Sequence, residues 1–271
     1  MKNLLSLEVV PLEKVVLHER VDPARVKRLA DRLVADGRLV NPPIVVAMED
    51  QFVVLDGATR VSALQALSYP HIVVQVVSPQ NGLTLHTWYH VIHNLAPDQV
   101  VELLNGLPEI VLKESGGQRV LEEMFELGGL CYLHTADNRV FLVQAAPGVN
   151  HITALNRFTT AYIEAGRVTR TLQRDMARIN GESPDLSALV VFPEYTVEQV
   201  LQIARAGRQL PAGITRFIVP GRVLRLNADL AYLKSDVSTA DKNRWLQELV
   251  GAKLSNNQVR FYQEPVYLLD E

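Results

Sequence analysis

The run Leu55-Asp56-Gly57-Ala58-Thr59-Arg60-Val61-Ser62-Ala63-Leu64 concentrates groups suited to holding an anion. Gly57 falls where an apolar, β-branched run gives way to a helical pattern. Backbone N–H groups at such a helix start lack intrahelical acceptors and carry partial positive charge, which suits a phosphate. Thr59 adds a hydroxyl donor, and Arg60 a planar fork that matches phosphate oxygens. Asp56 sets a carboxylate beside that anion, and phosphate next to carboxylate is the usual setting for Mg2+. The same residues also suit a plain capped turn with Arg60 in solvent, and the run alone does not decide between the two. A second set is His86, His90 and His93, which at i, i+4 and i+7 would share one face of a helix, as zinc or haem ligands would require. No cysteine or carboxylate stands beside them, so packing with Trp88 and Tyr89 is the better account. The single cysteine, Cys131, lies between Leu130 and Tyr132 and reads as a core thiol.

These groups need elements to hold them, and the first third of the chain is well punctuated. Residues 7–10 suit a strand ended by Pro11. Asp22 is a good N-cap, Pro23 fits the first helical position and Gly37 follows the end. Between them Val26, Leu29, Ala30, Leu33 and Val34 keep a helical spacing. Ile44-Val45-Val46 and Phe52-Val53-Val54-Leu55 flank Glu49-Asp50 as a hairpin. After Gly57 a helix should turn Val61, Leu64 and Leu67 inward and stop before Pro70, and residues 72–77 predict a strand. Beyond a break at residues 79–82, helices are predicted over 85–95, 98–104, 118–127, 150–165 and 241–250. Strands are predicted over 109–112, 130–134, 140–144, 186–192 and 266–269, with Asp137-Asn138 turning a second hairpin. Thr196 and Gln199 form a capping box for a helix closed by Gly207. A Gly- and Pro-rich loop at residues 209–213 then leads into Ile214-Thr215-Arg216-Phe217-Ile218.

Strand, helix, hairpin, Gly-x-x-Arg and helix, in that order, resemble the N-terminal domain of the ParB/sulfiredoxin-like superfamily. The Asp-Gly-x-x-Arg variant at Asp56 to Arg60 is similar to that superfamily's free L-serine kinase branch. Further matches are Leu17-His18-Glu19, Val40-Asn41-Pro42-Pro43-Ile44-Val45, and Trp88 with His90, where Tyr89 replaces the asparagine of a Trp-Asn-His motif. Downstream, Pro211-Ala212-Gly213-Ile214-Thr215-Arg216 and Gly221-Arg222-Val223-Leu224 resemble the branch's second signature, so the likeness covers most of the chain. Archaeal members carry two histidines where Ala58-Thr59 stand here.

The resemblance implies an α+β (mixed α/β) fold. A ParB/sulfiredoxin-like domain over residues 1–80 would face a larger α/β domain over 81–271 across a cleft. It implies transfer of a phosphoryl group from ATP or ADP to L-serine. Gly57, Ala58, Thr59 and Arg60 would hold the nucleotide phosphates, with Mg2+ at Asp56. Glu19 would accept the proton of the serine hydroxyl, unless it is simply a surface glutamate beside Arg20. Asp56 would serve as metal ligand or as a second carboxylate steering that hydroxyl. A zwitterionic substrate also needs donors for its carboxylate. Thr215, Arg216 and Arg222 are the candidates, with Asn41, Trp88 and His90 as further contacts. Each of the arginines is equally suited to a structural ion pair.

Composition narrows the classes. Of 271 residues 48% are hydrophobic and 21% charged, which is globular rather than disordered. One cysteine excludes an internal disulfide and a multi-cysteine zinc site. It also excludes sulfiredoxin-like reduction, which needs a cysteine where Ala58 stands. The alternative is a ParB-like DNA-binding regulator. Against it stand a net charge of −3, the lack of a basic helix-turn-helix pattern after residue 80, and the acidic Asp98-Gln99-Val100-Val101-Glu102. No apolar stretch nears the ~20 residues that span a bilayer, and no secretory signal is seen, so a cytoplasmic protein is expected. Whether ATP or ADP is the donor stays open, as does whether phosphoserine would feed siderophore or cysteine synthesis.

Overall fold

The computed structural model describes residues 5–115 and 128–262. The helix expected over 118–127 and the strand over 266–269 lie outside the described residues. The chain forms two compact units that alternate along the sequence. One comprises the chain through Val16, Pro23–Leu83 and everything from Val219; the other comprises Leu17–Asp22 and Thr84–Ile218. The change after Leu83 falls beside the break at 79–82. A simple division into 1–80 and 81–271 differs at two places: Leu17–Asp22 joins the second unit, and the chain beyond Ile218 returns to the first.

The first unit begins with β1 (Leu7–Pro11), β2 (Val15–Leu17), α1 (Pro23–Asp36), β3 (Arg38–Leu39), β4 (Ile44–Met48), β5 (Gln51–Asp56), α2 (Ala58–Ala66) and β6 (His71–Val77). Its sheet runs β1-β6-β4-β5-β2. β4 and β5 are the expected hairpin, and β6 lies parallel to β4. β5 carries the chain back, and α2 then takes it past β4 to the start of β6. Ile44, Val45, Val46, Val53, Val54, Ile72, Val73 and Val74 are all buried, so side chains on both faces of the sheet are covered. α1 packs against α2, burying Ala30 and Leu33. Val34, expected inward, is 63% exposed, so the apolar stripe of α1 is narrower than its sequence suggests.

The second unit contains β7 (Thr84–Thr87), β8 (Tyr89–His93), α3 (Pro97–Asn105), β9 (Ile110–Ser115), β10 (Gly129–Thr135), β11 (Val140–Ala145), α4 (His151–Ala165), β12 (Arg167–Thr171), α5 (Met176–Glu182), β13 (Leu186–Val191), α6 (Val197–Arg205) and β14 (Thr215–Ile218). Six strands form an antiparallel sheet, β12-β8-β13-β10-β11-β9, and β14 pairs with β7. The helix predicted over 85–95 is therefore β7 and β8. β8 is an interior strand with every residue buried, so both of its faces are covered and the alternation that marks a half-buried strand is missing. The reassignment dissolves the three-histidine helix face. His90 and His93 point to opposite sides of β8, and no cluster of three metal-ligating side chains occurs among the described residues. It also leaves no helix-turn-helix directly after Leu83. The capping box of Thr196 and Gln199 forms as expected, and Asn150 proves to be the N-cap of α4. Cys131 is fully buried.

The returning segment adds β15 (Ala228–Asp229) beside β3, then α7 (Leu230–Lys234) and α8 (Thr239–Ser255). α8 closes the open edge of the first sheet. The Asn243 side chain accepts from Val9 N–H and donates to Val9 C=O, both at 2.8 Å. Lys242 is wholly buried. Its ammonium donates to the carbonyls of Leu233 (2.8 Å) and Ser235 (2.6 Å) and to His71 Nδ1 (3.1 Å), tying the end of α7 to β6.

Candidate active site

In the first unit β5 ends at Asp56, and Gly57 turns the chain into α2 with φ +94°. A side chain at Gly57 would be strained there, and its Cβ would meet the Arg60 guanidinium at 2.9 Å. The first intrahelical bond is Val61 N–H to Gly57 C=O, so the N–H groups just ahead of it face outward from the helix start. Ala58 is buried, and the half-buried Thr59 hydroxyl has no partner among the described residues. Arg60 folds back over the turn. It donates to the carbonyls of Asn41 (2.8 Å) and Pro42 (3.1 Å) and to Asp56 Oδ2 (2.9 Å). Arg222 reaches the same oxygen at 2.5 Å. Burial works to raise the Asp56 carboxyl, and the two guanidiniums outweigh it, holding the group below its usual range.

Arg222 is thus held in the first unit as a partner of Asp56 at the turn beside Gly57. Two side chains hold this arrangement. The Asn41 side chain accepts from Arg225 N–H at 2.8 Å. Gln75, nearly buried in β6, donates to Gly221 C=O and accepts from Val223 N–H, both at 2.9 Å, gripping the backbone on either side of Arg222. Sequence reasoning passed over Gln75. Its signal was a lone amide inside the apolar run Ile72-Val73-Val74-Gln75-Val76-Val77.

In the second unit the loop at 209–213 is bonded at Gln209, Leu210 and Gly213. Asn156 donates to Gln209 C=O at 2.7 Å. Leu210 N–H bonds His18 C=O, and Arg20 N–H bonds Leu210 C=O, both at 2.8 Å. This short parallel pairing carries Glu19 to Gly213, whose N–H donates to Glu19 Oε2 at 2.9 Å. Gly213 C=O faces His90 Nε2 at 3.3 Å, and Tyr162 Oη lies 2.7 Å from Nδ1. A carbonyl only accepts, so Nε2 carries the hydrogen and Tyr162 donates to Nδ1. Burial, and less strongly the charge of Arg170, hold His90 down to about 4 despite its bond to Gly213, so the ring is neutral. With both nitrogens used and 1% exposure, His90 supports the loop from behind.

Thr215 and Arg216 separate as well. Thr215 Oγ1 bonds buried His18 Nε2 at 2.8 Å, and Phe217 packs edge-on against the same ring. Strand alternation sends Arg216 to the other face, where its guanidinium lies 4.7 Å over the half-buried Trp88 ring. The residues thus form two groups. Asp56, Gly57, Thr59, Arg60, Arg222 and Asn41 gather around the helix start at Gly57. Glu19 and His90 meet at the backbone of Gly213, with Trp88 and Arg216 on the neighbouring ribbon.

The fold is that of the free serine kinases of known structure. SbnI with a C-terminal truncation from Staphylococcus aureus superposes with a TM-score of 0.71 at 23% identity, covering 92% of this chain and 97% of that one. A free serine kinase in complex with AMP gives 0.72 at 17% identity, covering 84% and 94%. By sequence the chain is 27% identical over 269 residues to the ATP-dependent L-serine kinase SbnI of Staphylococcus aureus, spanning 98% of this chain and 97% of that protein. It is 23% identical over 239 residues to the ATP-dependent L-serine kinase of Staphylothermus marinus, spanning 83% and 90%. No family model matches. The resemblance to free L-serine kinases seen in the sequence is borne out, and these relatives give no support to a DNA-binding regulator.

Proposed function

We propose that this chain is a free L-serine kinase that converts ATP and L-serine to ADP and O-phospho-L-serine. The observation that carries the reading is the Glu19 carboxylate fixed by Gly213 N–H. Two signature segments far apart in sequence meet there to present one carboxylate oxygen. The near full-length similarity to ATP-dependent L-serine kinases supports it and favours ATP over ADP as donor. Glu19 takes the hydroxyl proton of serine as its oxygen attacks the γ-phosphorus and the bond to the β-phosphate oxygen breaks. With Oε2 committed to Gly213, Oε1 is the acceptor. The helix start at Gly57, the Thr59 hydroxyl, Arg60 and Arg222 bind the nucleotide phosphates. Trp88 and Arg216 belong to the serine side, and Thr215 holds His18, the residue before Glu19, in place.

The donor set fits Mg2+ only together with nucleotide. Asp56 Oδ2 is taken by two guanidiniums, while Oδ1 makes no hydrogen bond among the described residues and offers one ligand oxygen. Such an ion, bound mainly by phosphates, would neutralise charge on the transferring group. A kinase drawing on ATP and a free amino acid belongs in the cytoplasm, and no helix among the described residues is long and apolar enough to cross a membrane.

The test is to incubate the purified protein with L-serine, MgCl2 and ATP or ADP, and to assay phosphoserine by mass spectrometry. Product is expected with ATP, and Glu19→Gln should lower kcat ~10²–10⁴-fold while nucleotide binding persists. Absence of phosphoserine with either nucleotide would overturn the assignment. Near wild-type turnover by Glu19→Gln would remove Glu19 as the base.

A further inference from the structure

The second unit holds a cation that sequence reasoning did not single out. Arg170, in β12, sits directly across from His90 in the register of the sheet, so the two side chains share a face. That face is covered by Gly213. A Cβ at Gly213, whose φ is +73°, would lie 2.0 Å from Arg170 Nη2 and 2.1 Å from its Cζ. Only glycine leaves room for the guanidinium against this peptide. The same residue donates its N–H to Glu19 and accepts from His90 at its C=O. Arg170 is exposed, and no hydrogen bond or ion pair engages its guanidinium among the described residues. A guanidinium placed one peptide from a carboxylate base, with its N–H donors unclaimed, is arranged for an acceptor that arrives with the substrate.

We propose that Arg170 binds the α-carboxylate of the amino-acid substrate whose hydroxyl sits on Glu19. The proposal rests on the kinase reading and deepens it. In serine the hydroxyl oxygen and the carboxyl carbon are separated by two carbons, so an acceptor for the proton and a donor for the carboxylate must stand close together on one wall. Glu19 and Arg170, joined through Gly213, meet that requirement. Arg216 does so less well, because it stacks on Trp88 on the face opposite Thr215 and His18. The phosphate donors lie in the first unit, around Gly57, which leaves Arg170 to the amino acid.

The experiment compares wild type, Arg170→Ala and Arg170→Lys with L-serine and with L-serinamide, which keeps the hydroxyl and amine but lacks the carboxylate. Arg170→Ala should raise the KM for L-serine ~10–150-fold, with the KM for ATP changed less than about 2-fold. The preference of wild type for L-serine over L-serinamide in kcat/KM should collapse toward unity, and Arg170→Lys should restore part of it. Calorimetric titration with L-serine should show the same loss of affinity without turnover. Undiminished preference in Arg170→Ala overturns the proposal, above all if Arg216→Ala erases it instead. A fall in kcat with an unchanged KM for serine also overturns it, placing Arg170 on the transferring phosphoryl group. A wild-type chain that makes no phosphoserine would instead overturn the kinase reading on which the proposal stands.

Discussion

At the residue scale, His90 shows how far a side chain's role is set by its surroundings. Both ring nitrogens are engaged, its neighbours are Tyr162, Phe192 and a glycine carbonyl, and its pKa in the fold is about 4 against 6.5 in the open chain. A depressed pKa means that the unfolded chain takes up the proton first. The stability His90 contributes is therefore whole above pH 6.5 and is lost as pH falls toward 4. The loss should reach about 2 kcal/mol by pH 5. Urea unfolding at pH 7 and pH 5, with the His90 ring followed by NMR, checks this. A ring that titrates near 6.5 in the native protein would contradict it. In sequence His90 offered only its Trp-x-His spacing, which cannot tell a ligand from a residue behind the ligand. Arg170 offered less still, because Arg167-Val168-Thr169-Arg170-Thr171 is an edge strand with little apolar patterning. Glu19 and the turn at Asp56-Gly57 were legible because a motif and a strand-to-helix junction coincided there.

At the scale of elements, legibility followed punctuation. α1, the β4–β5 hairpin and α2 were readable because Pro23, Gly37, the Glu49-Asp50 turn and Gly57 mark their ends. β8 was misread because it is buried on both faces and only Trp88, no turn residue, parts it from β7, and β12, α5, β15 and α7 are short and carry little pattern. The edge of the first sheet depends on α8 in a way no pattern announces. Val9 is fully buried, and its N–H and C=O face away from β6 into the Asn243 amide. Asn243→Ala would leave both groups unpaired and should cost about 2 kcal/mol. Chemical denaturation would measure it, and amide exchange at Val9 should quicken in the variant. A change within a few tenths of a kcal/mol would show that another group covers that edge.

At the scale of the whole molecule, each unit is compact in space but broken in sequence. Gln75 grips Gly221 and Val223, Asp56 bonds Arg222, and His71 bonds Lys242, all within the first unit. A chain ending at Ile218 should therefore lose more than its last helices. Nucleotide binding should fall with Arg222, and the first unit should expose β1 and unfold at lower denaturant than the second. Limited proteolysis with mass mapping would reveal it, as early cuts in β1 to β6 and late ones in β8 to β13. Equal protection of both units would refute this dependence.

The burial of Lys242 against His71 also sets a timetable for synthesis. The two are 171 residues apart, and Val9 waits 234 residues for Asn243. A ribosome adding ~5–20 residues per second delivers Lys242 roughly 10–30 s after His71. Throughout that interval β1 to β6 are complete as sequence yet open along one edge, while the whole of the second unit emerges and can close first. The nascent chain thus finishes its middle before its beginning, and its first strands are the ones that would need a chaperone's shelter.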